Sequence, residues 1–170
     1  MREIVIRAGK VAIRARLLKT PTAERIWDAL PIYAQAKLWG HEFYFPAPVS
    51  SDCEPEAREV VSAGEIAFWP DGNAIAIGFG PTPVSRKGEI RMASPCNIWA
   101  MALDDVSSLK SVHAGEDVSV MEANGHARKR PAGTGAATKR NRGSKFPARQ
   151  TASIANLSSS CAGRVLPETA

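Results

Sequence analysis

His41 stands directly before Glu42, by residue type an acid–base pair or half of a metal site. Neighbours on an extended strand point to opposite faces, however, and the other histidines, His113 and His126, lie far along the chain in a poorly patterned stretch. The pattern fits a solvent-facing hairpin histidine better than a ligand. Ser85 and Ser94 have no positioned base in sequence view, so nucleophilic catalysis is not indicated. Gly78-Phe79-Gly80 lacks the lysine and following helix of a phosphate loop and reads as a strand end with small corners. Cys53, Cys96 and Cys161 are an odd number without CxxC spacing, which argues against a disulfide framework and against a zinc site; they read as ordinary reduced thiols. The residue types point to no catalytic group, no metal and no cofactor.

The elements that would position these side chains are mostly short strands. Ile4–Ala8 and Val11–Leu18 flank Gly9-Lys10, and Val11, Ile13, Ala15 and Leu17 alternate with Ala12, Arg14 and Arg16, the period of two of a half-buried hairpin. Thr20 can cap a helix that starts at Pro21, where a missing N–H costs nothing. Ala23, Ile26, Trp27 and Leu30 give that helix one apolar face, and Pro31 stops it. Strands follow at Ala34–Trp39 and Glu42–Phe45 around Gly40-His41, with Phe43 and Phe45 on one face and Glu42 and Tyr44 on the other. Residues 49–63 read as a turn of helix or a short strand. Ile66–Trp69 and Ala74–Phe79 pair across Pro70-Asp71-Gly72, where glycine is expected to take the positive φ. Phe68 and Trp69 fall on opposite faces of one strand, so one of them is expected at the surface. Ile90–Met92 and Asn97–Leu103 complete the β pattern. Many short strands and one helix favour a barrel plugged by a helix over a layered α/β fold.

Charge divides the chain. Residues 1–122 hold 13 Lys/Arg against 16 Asp/Glu, whereas residues 123–170 hold 9 Lys/Arg and only Glu168, so the net charge of +5 belongs to the C-terminal part. Trp27, Trp39, Trp69, Trp99, Tyr33 and Tyr44 all precede residue 100, and Phe146 is the only Phe, Tyr or Trp after Trp99. The reading is therefore a domain over residues 1–108 and a disordered, basic, low-complexity tail over 109–170, too poor in large apolar groups to offset its chain entropy. Such a tail can touch nucleic acid without sequence preference, though no stacking aromatics accompany its charge. No run approaches the about 18–20 apolar residues of a membrane span and no signal-peptide core is present, so the expectation is a cytoplasmic protein without membrane contact.

Several blocks carry a further signal: WGHEFYF (39–45), GEIAFWPDG (64–72) and FGPTPVS (79–85), preceded by KTPTAERIWDALPI (19–32). In type and order they resemble the small prokaryotic cyclophilin-like β-barrel family over roughly residues 3 to 103. The resemblance implies a mainly β fold, a small closed barrel with one short helix, and it implies no particular activity. Prolyl isomerisation has to lower a barrier of roughly 18–20 kcal/mol arising from amide resonance. Cyclophilins do so with an apolar proline pocket and an arginine placed shortly before Phe-x-x-Gln-Gly-Gly-Asp. None of Arg14, Arg16, Arg58 and Arg91 is followed by that pattern, so no catalytic residue carries over.

The family pattern shares Trp39, Glu42, Tyr44, Phe79, Thr82 and Arg91, rings with a few polar groups, as at the mouth or outer groove of a small barrel that takes a peptide or small ligand. The alternative arrangement keeps Trp39 and Phe79 in the core and pairs Glu42 with Arg91. The reading that follows is a non-enzymatic cyclophilin-like binding domain for a peptide or small molecule. A weak peptidyl-prolyl isomerase and tail-mediated association with nucleic acid are the alternatives.

Overall fold

Alternating apolar residues and tight corners build one continuous sheet in the computed structural model, which describes residues 1–123. The expected disordered tail beyond residue 123, and the nucleic-acid contact attached to it, lie outside the described residues. The first hairpin joins β1 (Glu3–Ala8) to β2 (Val11–Leu17) through Gly9 at φ 54°. Its register sets Ile4 against Ala15 and Ile6 against Ile13, so the buried residues of both strands meet on one face. Helix α1 (Pro21–Asp28) follows with Thr20 as its cap, the Thr20 hydroxyl accepting from the Ala23 N–H at 3.2 Å. Ala23 and Ile26 are fully buried, and Trp27 and Leu30 pack on the same core.

The chain continues as β3 (Ile32–Gln35), β4 (Lys37–Trp39), β5 (Glu42–Pro46), β6 (Arg58–Val61), β7 (Glu65–Trp69), β8 (Ala74–Gly78), β9 (Ile90–Ala102) and β10 (Asp117–Glu122). Sheet order is β3-β10-β1-β2-β9-β7-β8-β5-β4, with β6 added beside β9. The two ends of this path, β3 and β4, are consecutive in the chain and separated only by Ala36, so the backbone itself links the sheet's edges and nearly closes the barrel. The ambiguous stretch at 49–63 resolves as the short strand β6, and the expected strands at 90–92 and 97–103 are one long strand.

Two further expectations change. The 3-10 turn Pro70–Gly72 ends on Asn73, and it is Asn73, at φ 46°, that takes the left-handed conformation. Gly72 is small for another reason: a Cβ there would lie 2.3 Å from the Trp69 ring. β10, too, falls in the stretch assigned above to the tail. Val118 opposes both Ala8 and Ala34, and Val120 opposes both Ile6 and Ile32. β10 thus sits inside the sheet between β1 and β3, and the sheet runs on to Glu122, past the expected limit at residue 108. Val106 and Leu109, in a 3-10 segment capped by Asp105, are buried in the same core.

The wall β5-β8-β7-β9 buries both of its faces. Phe43, Phe45, Ile66, Phe68, Ile75, Ile77 and Trp99 fill the barrel interior, while Val61, Ala67, Ala76, Met92 and Cys96 form a second cluster with Tyr44 and Trp69 packed against it. In β9 a register shift opposite Ile66 and Ala67 skips Trp99, which lets Trp99 and its neighbour Ala100 both enter the interior. Loop 47–57 is tied down by the fully buried Asn97, whose Oδ1 accepts from the Glu54 N–H at 2.9 Å and whose amide donates to Thr22 Oγ1 and the Asp52 carbonyl. Cys96, on β9, is free and buried.

Candidate functional site

Where the second cluster meets the surface, the outer side of this wall holds a groove lined by Trp39, Glu42, Tyr44, Trp69, Met92, Ala93 and Cys96, enclosing about 80 Å³. Register explains how it forms. Trp39 lies directly opposite Glu42 across the Gly40-His41 turn, and Glu42 in turn opposes Gly78. Tyr44 opposes Ala76, which opposes Ala67, so two small residues lie between Tyr44 and β9. Gly78 is required in that row: a Cβ would meet the Ile90 side chain at 2.4 Å. On the far side Trp69 is held by its indole N–H, which donates to Ser94 Oγ at 2.8 Å. Ser94 is thus an anchor for a ring.

Glu42 dominates the chemistry of the groove. It is only 8% exposed, and its Oε2 has no hydrogen-bond partner among the described residues. Burial pushes its carboxyl up to about 7, because the charged form has lost its water and gained nothing in exchange. The Cys96 thiol, also in the groove, is pushed up to about 12, first by burial and then by the negative charges of Glu42, Asp71 and Glu59.

Of the six residues expected at a site, the structure brings Trp39, Glu42 and Tyr44 together and places the other three elsewhere. Phe79 packs on the interior core and stacks on the exposed ring of His41, with centroids 5.5 Å apart. Thr82 is a loop anchor: its hydroxyl donates to the Arg91 carbonyl, and its N–H donates to Ser85 Oγ at 2.9 Å. Ser85 Oγ also accepts from the Arg91 N–H, so the serine considered above as a nucleophile ties the loop to β9. The Arg91 guanidinium is taken by Glu89 at 2.7 Å and Glu59 at 2.6 Å, which overturns the alternative pairing of Glu42 with Arg91. Four lining residues were missed: Trp69, Met92, Ala93 and Cys96. Trp69 did carry a signal, since it and Phe68 had to face opposite sides, and Phe68 is the one in the interior.

Among the described residues no group of three or more His, Cys, Asp or Glu side chains is arranged to hold a metal, and no helix is long and apolar enough to cross a membrane. A family model described as cyclophilin-like matches residues 2–121. The chain belongs to this cyclophilin-like family. Its barrel is similar to the solution structure of a hypothetical protein from Archaeoglobus fulgidus, with 36% identity over 72% of this chain and 95% of that one, at a TM-score of 0.63. It is also similar to the structure of McbB in complex with tryptophan, at 17% identity and a TM-score of 0.51, covering 78% of this chain and 46% of that one; at this identity the likeness is one of fold. No curated protein matches the chain. The family match reaches into β10, in keeping with a cyclophilin-like barrel that includes this last strand.

Proposed function

We propose that this cyclophilin-like barrel is a binding domain whose outer groove takes a small molecule, or the end of a peptide, with an apolar body and a polar group. The observation that carries this reading is the buried, unpartnered Glu42 Oε2 set among the rings of Trp39, Tyr44 and Trp69. An unmatched buried acceptor destabilises the fold it sits in. A ligand that donates to it turns that cost into affinity, and the rings supply the apolar contact.

Isomerisation of the cyclophilin type is the second reading, and the arginines weigh against it. Arg14 bonds Asp104 at 2.7 Å, Arg16 bonds Glu3 at 3.0 Å, Arg58 pairs with Glu65, and Arg91 is held by two carboxylates. None of these arginines lines the groove. A protease-coupled proline assay should show negligible rate enhancement. A rate near that of authentic cyclophilins, lost on Arg91→Ala, would establish the isomerase instead.

The test of binding is a small-molecule screen by thermal shift, repeated on Tyr44→Ala. Tyr44 is half-buried at the groove wall, so the variant should lose ligand-induced stabilisation while its unliganded midpoint stays near that of the parent. If the unliganded variant instead loses several kcal/mol, as in truncation of a core aromatic, Tyr44 is structural and the binding proposal loses this wall.

A further inference from the structure

Resting on that reading of the groove, the chemistry of its lining narrows the ligand class. The buried acceptor left without a partner among the described residues is a carboxylate oxygen, which rejects anions and calls for a donor. Three ring-bearing residues, Trp39, Tyr44 and Trp69, surround it, and ring faces attract positive charge. The field at the opposite wall is negative as well: Glu42, Asp71 and Glu59 all act on Cys96 in that sense. The guanidinium of Arg91, next to Met92 of the groove wall, is committed to Glu59 and Glu89, and that of Arg58, opposite Cys96, pairs with Glu65. We propose that the groove is a cation site, taking a small alkylammonium group with the Glu42 carboxylate as counter-ion and the rings of Trp39, Tyr44 and Trp69 as its walls. The volume of about 80 Å³ suits a short alkyl chain behind the ammonium and excludes a bulky one.

Binding of such a group is coupled to the proton on Glu42. The titratable and charged groups on the elements around Glu42 are His41 beside it in the chain, Tyr44 on its own strand, Cys96 and Arg91 on β9, Arg58 opposite Cys96 on β6 and the exposed Lys37 on β4, while Glu59 and Asp71 act on the Cys96 wall. In the groove, burial moves the Glu42 carboxyl up to about 7, so its charge changes near neutrality.

The experiment is an NMR titration of the full chain with butylamine, 1-butanol and butyrate in an amine-free buffer, following the Trp indole N–H signals. Butylamine should shift the indoles of Trp39 and Trp69 and bind about tenfold or more tightly than 1-butanol at about pH 8. Butyrate should shift neither. Because an ammonium needs the ionised carboxylate, butylamine affinity should fall about thirtyfold between about pH 8 and about pH 5.5, while 1-butanol affinity should not. Glu42→Gln should abolish the preference for butylamine and its pH dependence while retaining 1-butanol binding. If butylamine and 1-butanol shift the same indoles with equal affinity, the cation assignment fails and the groove reading stands. If neither shifts them at tens of millimolar, both fail.

Discussion

A chain ending at residue 108 should not fold, whereas one ending at residue 123, which keeps every strand of the described sheet, should unfold in a single cooperative transition. β10 is hydrogen-bonded on both sides, to β1 and to β3. Removing it strips the cover from Ile4, Ile6 and Ile32 and deletes Leu109, Val112, Val118 and Val120, all of which are buried in the main core. At roughly 1.5–3 kcal/mol for each buried aliphatic side chain, the four deleted residues alone are worth about 6–12 kcal/mol. That is comparable to the whole stability of a small domain, about 5–15 kcal/mol. It also breaks the path that lets the chain join the sheet's edges, since β3 would lose its only ladder partner among the described strands. The comparison is made by amide NMR dispersion and urea denaturation of the two chains. A dispersed spectrum and a cooperative transition from the shorter chain would show that β10 is dispensable.

Glu42→Gln should stabilise the protein, and by more as the pH rises. Below the ordinary carboxyl range both folded and unfolded chains hold the Glu42 proton, and the residue contributes nothing to the pH dependence. Between the ordinary value of 4.5 and the folded value of about 7, the unfolded chain ionises while the folded chain keeps its proton. The folded state then binds more protons, so stability falls as pH rises through this window, and the full penalty is present above it. The difference corresponds to about 3 kcal/mol. The variant and parent should therefore be nearly equal in stability at about pH 4.5 and differ by about 3 kcal/mol above about pH 8. Urea denaturation at the two pH values measures this directly. Equal stability at both would mean that the Glu42 carboxylate is compensated in the folded state, and the argument for an open acceptor in the groove would fall with it. A residue kept at this cost fits a site whose ligand, rather than the fold, uses the charge.

These two expectations rest on features of very different legibility. β10 was hidden because only two of its apolar residues alternate, Val118 and Val120, while Met121 breaks the period, and two alternations do not rise above the polar sequence around them. Once placed, it is buried from both sides by strands about a hundred residues away in the chain. The charge of Glu42 was hidden in another way. Its position on a face with Tyr44 followed from strand parity, and both do line the groove. Its surroundings did not follow: the alternative arrangement paired it with Arg91, yet Glu59 and Glu89 are what the register of β6 and the turn before β9 present to that arginine.

What the amino-acid order determines by itself is local. Period-two alternation and the Gly9-Lys10 and Gly40-His41 corners specify the hairpins, Thr20 and Pro21 specify where the helix begins, and the placement of Trp and Tyr before residue 100 puts the core in the first part of the chain. Parity along a strand also says which residues share a face, as with Phe43 and Phe45 inside and Glu42 and Tyr44 outside. Only the tertiary structure decides which face meets which. Sheet order sets β9 between β2 and β7 and carries Met92 and Cys96 to the groove that Trp39, Glu42 and Tyr44 begin. A skipped residue at Trp99 changes the parity of β9 partway along. The physical reason is range: dihedral preferences and side-chain alternation act over a few residues, whereas strand adjacency is settled by packing between residues far apart in the chain, and it is adjacency that leaves Glu42 buried without a partner.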